Sequence, residues 1–109
     1  MGLLDFLKGP DINAGEKEFR ETAGAVLVDV READEYAEGH IPDAVHLPLS
    51  AIQTAPQVLP DKDAPLYLYC LSGARSGRAT AALKQMGYTN VRNIGGINAW
   101  RGEVVRLSK

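Results

Sequence analysis

The 109-residue sequence has one cysteine, little net charge and no long apolar run, and each shortage excludes a class of protein. A single cysteine, Cys70, excludes an intrachain disulfide and a metal site built from several cysteines. Twelve Lys+Arg against fourteen Asp+Glu give a net charge of −2, so no basic excess is present to hold a nucleic-acid backbone. No apolar run approaches the roughly 18 residues that a membrane span requires. We therefore expect a cytoplasmic protein without nucleic-acid or membrane partners.

The remaining composition is that of an ordinary small globular domain. Hydrophobic residues make up 45% of the chain and charged residues 24%, and the length fits one domain. The first seven residues are apolar but lack the features of a secretory signal. Leu3, Leu4 and Leu7 fall at helical spacing, which predicts a turn of helix packed on the body or a frayed end, with a membrane or partner anchor as the less favoured alternative. We expect residues 1–10 to be an N-terminal extension and 11–109 to be the domain.

Short apolar strands alternate with helices along the chain. The predicted strands are Ala25–Val28, Val45–Leu47, Leu66–Tyr69 and Val91–Ile94. The predicted helices are one capped by Asn13, Glu32–Glu38, one capped by Ser50, Arg75–Met86 and the short Ile97–Arg101. This alternation predicts an α/β fold with a parallel sheet covered by helices on both faces. Ligands of such folds bind beyond the carboxyl ends of the strands, which is where Cys70 is expected.

The segment around Cys70 has the composition of an anion-binding turn. A strand leads into the cysteine, a helix leaves from about Arg75, and Gly73 permits a tight backbone between them. Backbone N–H groups and a helix N-terminus that converge on one point favour a thiolate. Arg75 adds a positive charge that could grip an oxyanion. The pattern favours a nucleophile acting on an anionic substrate, and the alternative is a buried cysteine that only fills the core.

Several short motifs between Ala25 and Trp100 occur in a characteristic order. They are Leu27–Arg31, Glu35-Tyr36, Gly39–Ala44, Leu47-Pro48, Tyr69–Ser76, Gly95–Ile97 and Trp100. In this order the chain resembles the single-domain rhodanese family of sulfurtransferases. The resemblance implies one rhodanese-like domain over 11–109, with a parallel sheet of about five strands and helices on both faces. Ile12 resembles the family's opening strand.

The resemblance also implies a reaction. By the family pattern Cys70 carries a sulfane sulfur as a persulfide, taken from a small anionic donor such as thiosulfate and passed to cyanide, a thiol or a thioredoxin-like acceptor. No metal or organic cofactor is implied. The residues expected to surround the persulfide and bind the donor are Leu71, Ser72, Gly73, Ala74 and Arg75. Arg31 is expected to add charge near the donor, or alternatively to tie loops together with Asp29.

Three alternatives differ from this enzyme in the use of the same loop. The first alternative is a cysteine phosphatase or an arsenate reductase, related enzymes that have five residues between the cysteine and the arginine. Here only four residues separate Cys70 from Arg75, and position 76 is Ser76 instead of arginine, which argues against this alternative. A persulfide carrier would use Cys70 with little turnover on small molecules. A non-catalytic binding or regulatory module would usually lack the cysteine. Leu71 stands where many family members have a basic residue, which argues against high activity on thiosulfate.

Other residues near these motifs have predicted structural roles. His40 and His46 are expected to bond to the backbone rather than to act as bases. Gly95 and Gly96 are expected to let the backbone pack closely beside the cysteine loop. Trp100 is expected to lie in the core or, alternatively, to border the pocket.

Overall fold

The centre of the fold is a sheet of four parallel strands in a computed structural model that describes residues 9–107. The strands are β1 (Val26–Asp29), β2 (Val45–His46), β3 (Leu66–Cys70) and β4 (Val91–Gly96). Their order across the sheet is β2-β1-β3-β4, and all pairings are parallel. The four strands predicted from sequence are confirmed, with ends that differ by at most two residues. The described residues contain no strand at Ile12, so the sheet has four strands rather than about five.

Within residues 9–107, four α-helices and two 3₁₀ helices precede, connect or follow the strands. They are α1 (Ile12–Glu21), α2 (Ala33–Glu38), a 3₁₀ helix at Leu49–Thr54, α3 (Ala55–Val58), α4 (Ala74–Gln85) and a 3₁₀ helix at Ile97–Ala99. Two predicted caps were wrong. Asp11 caps α1 instead of Asn13, because its carboxylate accepts the Asn13 N–H at 3.0 Å. Ser50 lies inside the first 3₁₀ helix, and its hydroxyl donates to Glu32.

The side chains of β3 are buried on both faces of the sheet, as the unbroken apolar sequence predicts. Leu66, Leu68 and Cys70 belong to one apolar layer, which also includes residues of α3 and α4. Tyr67 and Tyr69 belong to the opposite layer with Ile12 of α1, as does Tyr36 of α2. The prediction of helices on both faces is therefore confirmed. This alternation places the Cys70 side chain at the carboxyl end of β3, on the face covered by α4.

The last described residues pair with the segment after α2. His40 and Val105 form an antiparallel bridge in which each N–H donates to the other carbonyl at 2.9 Å. The helical turn predicted at Leu3, Leu4 and Leu7 lies outside the described residues. Within residues 9–107, none of the helices combines the length and the apolar character that crossing a bilayer demands.

Glycine at position 15 allows α1 to approach β4 closely. A Cβ at Gly15 would lie 2.5 Å from Ile94 Cβ, which is shorter than any normal contact. Gly15→Ala must therefore displace α1 or Ile94, and we expect a loss of about 1–3 kcal/mol in the free energy of unfolding, despite the better helix propensity of alanine. Urea unfolding followed by circular dichroism measures the loss.

Gly77→Ala is the matched control, because Gly77 is also helical but has room for a methyl group. Its nearest neighbour would be Asn93 Nδ2 at 3.4 Å. We expect this variant to be as stable as the wild type or more stable by up to about 1 kcal/mol. An unchanged or higher unfolding midpoint in Gly15→Ala would contradict the close packing of α1 on β4.

Candidate active site

The candidate site is the short turn that joins β3 to α4. Cys70 ends the strand, and Gly73 caps the helix with φ 104°, a left-handed backbone conformation that favours glycine. This conformation turns the Gly73 N–H back to donate to Cys70 Sγ at 3.0 Å. The cysteine therefore lies at the base of a cup of backbone N–H groups, as the sequence predicts.

The electrostatics of the cup favour the thiolate form of Cys70. Only 1% of the Cys70 surface is exposed. Burial raises the pKa of the thiol, but hydrogen bonds from the Ser76 hydroxyl and from backbone N–H groups lower it. The backbone donors are those of Ser76, Gly73 and Ser72. The hydrogen bonds outweigh burial, so the pKa of Cys70 lies below its ordinary value. A lowered pKa increases the fraction of nucleophile at neutral pH.

Ser76 is a buried hydroxyl donor that sequence reasoning missed as a site residue. Its Oγ lies 3.3 Å from Cys70 Sγ and 2.7 Å from Asn93 Oδ1. A hydroxyl has one hydrogen, so Ser76 can donate to only one of three acceptors at a time: the sulfur, the amide oxygen or the Gly73 carbonyl at 3.2 Å. The one sequence feature that could have indicated this role is the position of Ser76 in the first turn of the helix that follows the cysteine. A negative charge on the sulfur favours donation to Cys70.

Asn93 connects the cup to β4, and no local pattern in the sequence indicated this role. Its amide nitrogen donates to the Gly73 carbonyl at 3.0 Å, and its oxygen accepts the Gly95 N–H at 3.0 Å. Asn93 also contacts Ser76, as described above. One side chain of β4 thus holds both the turn and the serine that donates to the sulfur.

The end of β4 packs directly against the cup. A Cβ at Gly96 would lie 2.5 Å from Ser72 Cα, and one at Gly73 would lie 3.5 Å from Gly95 Cα. The Leu71 carbonyl accepts the Asn98 N–H at 3.1 Å. The predicted close backbone packing of Gly95 and Gly96 beside the cysteine loop is confirmed.

Arg75 lies at the cup but is held by a carboxylate from another helix. Its two terminal nitrogens donate to the two oxygens of Glu35 at 2.7 and 2.9 Å. The hydrogen bonds from Arg75 are the main cause that lowers the pKa of Glu35 to about 2. Glu35 in turn raises the pKa of Arg75, and the charge of Cys70 adds to this effect. Arg75 is therefore within electrostatic range of the sulfur, and its binding of a donor remains a prediction.

Arg31 is buried in a polar network at the carboxyl end of β1. Its guanidinium donates to the Asp29 carboxylate, at 2.7 Å for the shortest bond, and to the Gly39 carbonyl at 2.7 Å. Both Asp29 and Arg31 are less than one tenth exposed. These contacts match the alternative in which the pair ties loops together. Binding of a donor by Arg31 remains a prediction.

The other predicted residues divide between the cup surface and the scaffold. Leu71, Ser72 and Ala74 are exposed in the turn and at the start of α4. His40 Nδ1 lies 2.7 Å from the Tyr36 carbonyl and His46 Nε2 lies 2.7 Å from the Arg31 carbonyl. The predicted backbone bonding of both histidines is confirmed.

Trp100 is less buried than the prediction of a core residue implies. It is partly exposed and packs at the edge of the apolar layer that contains Ile12. Its indole N–H donates to the Glu103 carbonyl at 2.9 Å, which keeps the polar edge of the ring near solvent.

Comparisons with known proteins agree with the fold. A family model described as a rhodanese-like domain matches residues 16–103. A protein named sulfurtransferase from Allochromatium vinosum is 47% identical over 73% of this chain and 75% of its own length. The thiosulfate sulfurtransferase PspE of Escherichia coli is 37% identical over 64% of this chain and 68% of its own length.

A solved structure gives the same assignment. It is described as a rhodanese with anions from E. coli and superposes with a TM-score of 0.69 and 32% identity. The match covers 75% of this chain and 98% of that one. The four-stranded parallel sheet, the turn that holds Cys70 and these similarities lead to one conclusion: this chain belongs to the rhodanese-like domain family.

Proposed function

We propose that this protein transfers sulfane sulfur through a persulfide on Cys70, taking the sulfur from a donor such as thiosulfate and passing it to a thiol or to cyanide. The observation that carries the proposal is a cysteine that is 1% exposed and yet has hydrogen-bond donors directed at its sulfur. A cysteine that only fills a core has no need of these donors. The sulfurtransferase names of its relatives support the same chemistry.

The first step loads the cysteine. The Cys70 thiolate attacks the outer sulfur of thiosulfate, and a bond forms between Sγ and that sulfur. The bond to the sulfonate sulfur breaks, and its electron pair leaves with sulfite. One thiolate and one thiosulfate dianion give one persulfide anion and one sulfite dianion, so charge balances without an oxidant or a proton donor.

The second step unloads the sulfur to an acceptor. A thiolate or cyanide attacks the outer sulfur of the persulfide, the Cys70–sulfur bond breaks, and the electron pair returns to Sγ. The products are the regenerated thiolate and an acceptor persulfide or thiocyanate. Negative charge lies on the sulfur of Cys70 or on its terminal sulfur throughout, and this is the charge that the N–H cup stabilises.

The loop residues have distinct proposed roles in these steps. The backbone N–H groups of Leu71, Ser72, Gly73 and Ala74 line the cup that holds the terminal sulfur. Arg75 and Arg31 supply positive charge for an anionic donor. The anions named for the related E. coli rhodanese support anion binding here.

The proposal extends to the whole domain and its compartment. We assign residues 11–109 to the domain, with the Asp11 cap of α1 at its start. A lone thiol that must remain reduced between turnovers suits the reducing cytoplasm. A persulfide carrier that serves a thioredoxin-like partner would use the same cup, because the first step is the same for both.

Persulfide formation on Cys70 is the direct test. We expect wild-type protein treated with excess thiosulfate, or with the persulfide of a small thiol, to gain one sulfur atom that dithiothreitol removes. Intact-protein mass spectrometry measures the gain. Cys70→Ser is the control and should gain nothing. Absence of the added sulfur with both donors, while the thiol still reacts with iodoacetamide, would overturn the proposal.

Removal of the Ser76 hydroxyl should raise the pKa of Cys70. A hydrogen bond to a charged group contributes about 1.5–3 kcal/mol, so Ser76→Ala should raise this pKa by about one pH unit or more. The pH dependence of iodoacetamide alkylation measures it, because the rate follows the thiolate fraction. The midpoint should move to higher pH.

Thr80→Ala is the matched control for Ser76→Ala. Thr80 lies one turn further along α4, and its hydroxyl donates to the Ser76 carbonyl at 2.8 Å instead of to the sulfur. Its alkylation midpoint should equal that of the wild type. Equal midpoints in wild type and Ser76→Ala would show that the backbone N–H groups alone set the pKa.

A further inference from the structure

The two arginines that were predicted to bind the donor are already paired with carboxylates. Arg31 donates to buried Asp29, and Arg75 forms a two-bond ion pair with Glu35. Arg78 lies one turn further along α4 on the exposed surface, where solvent and salt screen its charge. Among residues 9–107, the cup thus offers several hydrogen-bond donors, while the two arginines predicted to bind the donor are compensated by carboxylates.

The carboxylate that pairs with Arg75 is held in place from its own helix. Glu35 Oε1 also accepts the Glu32 N–H at 3.0 Å, which completes a capping box at the start of α2. The side chains of Glu35 and Arg75 are only 28% and 30% exposed. Glu35 is therefore held both by its own helix and by the two-bond pair with Arg75.

An anion that binds Arg75 must compete with this carboxylate. A dianion such as thiosulfate would either displace Glu35 from the guanidinium or lie close to its negative charge. Both arrangements cost more free energy for a dianion than for a donor with one negative charge. Leu71 of the same turn is apolar and 47% exposed, so it can contact the carbon skeleton of a donor.

We propose that Glu35 is a specificity-determining residue that occupies Arg75, so that Cys70 takes sulfur from a persulfide of a thiol compound in preference to dianionic thiosulfate. The proposal rests on the persulfide chemistry proposed above. In this loading step the Cys70 thiolate attacks the terminal sulfur of R–S–S⁻. The bond between the two donor sulfurs breaks, and its electron pair leaves on R–S⁻. Charge balances, and no oxidant is required.

Glu35→Gln isolates the charge of this carboxylate. The glutamine oxygen can still accept the Glu32 N–H, so the cap of α2 is retained, whereas the amide nitrogen cannot accept from Arg75. Asp34→Asn is the matched control. It removes one negative charge from the same helix at an exposed position with no ion pair to Arg75 among the described residues.

Two alkylating reagents test the effect without any sulfur transfer. Iodoacetate is an anion and iodoacetamide is neutral, and both react with the Cys70 thiolate. We expect Glu35→Gln to raise the ratio of the iodoacetate rate to the iodoacetamide rate by about 1.5- to fivefold, the range of one exposed ion pair. Asp34→Asn should leave the ratio close to that of the wild type.

Two sulfur donors then test the choice of substrate. Rates of persulfide formation are measured with thiosulfate and with the persulfide of 2-mercaptoethanol, by mass spectrometry at donor concentrations below saturation. Wild-type protein should load faster from the mercaptoethanol persulfide. Glu35→Gln should raise the thiosulfate rate by about 1.5- to fivefold and the rate with the mercaptoethanol persulfide, which carries one negative charge fewer, by a smaller factor.

The outcomes separate this inference from the proposed function. An unchanged alkylation ratio in Glu35→Gln, or an equal rise in Asp34→Asn, would overturn the role of Glu35 whatever the sulfur chemistry. Faster loading of the wild type from thiosulfate would overturn the donor preference. Glu35→Gln could also raise the alkylation ratio while neither donor forms a persulfide on Cys70. That result would support the repulsion of anions by Glu35 and would overturn the proposed function instead.

Discussion

A negative charge on a buried sulfur is the constraint on which this structure depends. Cys70 is almost wholly removed from solvent, and an uncompensated thiolate at such a position would take up a proton. Hydrogen bonds from the following turn replace the lost water. The left-handed backbone of Gly73 directs one of these N–H groups at the sulfur. The rest of the fold around the site holds this turn in position.

The parallel sheet positions the cup in two ways. It ends β3 at Cys70, so the turn begins at the edge where all four strands end. It also brings the end of β4 against the turn, where Gly96 leaves no space for a side chain and Asn93 bonds to the Gly73 carbonyl. A turn fixed at both sides cannot relax when the sulfur gains charge, which makes it preorganised for an anion.

Sequence patterns predicted most of this arrangement because its causes are local. The apolar run of β3, the glycine of the turn and the two glycines of β4 each specify a backbone requirement that can be seen in a few residues. Ile12 was placed wrongly because a single apolar residue after Asp11 carries no periodicity, and the Asp11 carboxylate starts a helix there. The family resemblance supplied the reaction, which no spacing of residues could have supplied.

Contacts between distant segments could not be predicted in this way. Glu35 and Arg75 lie forty residues apart in sequence. Ser76 of α4 and Asn93 of β4, which form a hydrogen bond, lie seventeen residues apart. Polar residues of these types are also common on solvated surfaces, so the residue type alone does not indicate a contact with a distant segment. Their partners decide whether Arg75 is free to bind an anion and where the Ser76 hydrogen points.

The account is tested most directly by the pKa of Cys70 in the native protein. The ultraviolet absorbance of the thiolate, followed against pH and corrected with Cys70→Ser for the tyrosines, gives this pKa for the one cysteine. The account predicts a native midpoint clearly below that of the same protein unfolded in urea, which should titrate near the ordinary value of about 8.5. A native midpoint at or above the unfolded one would show that burial outweighs the hydrogen bonds, and would contradict a cup built to hold negative charge.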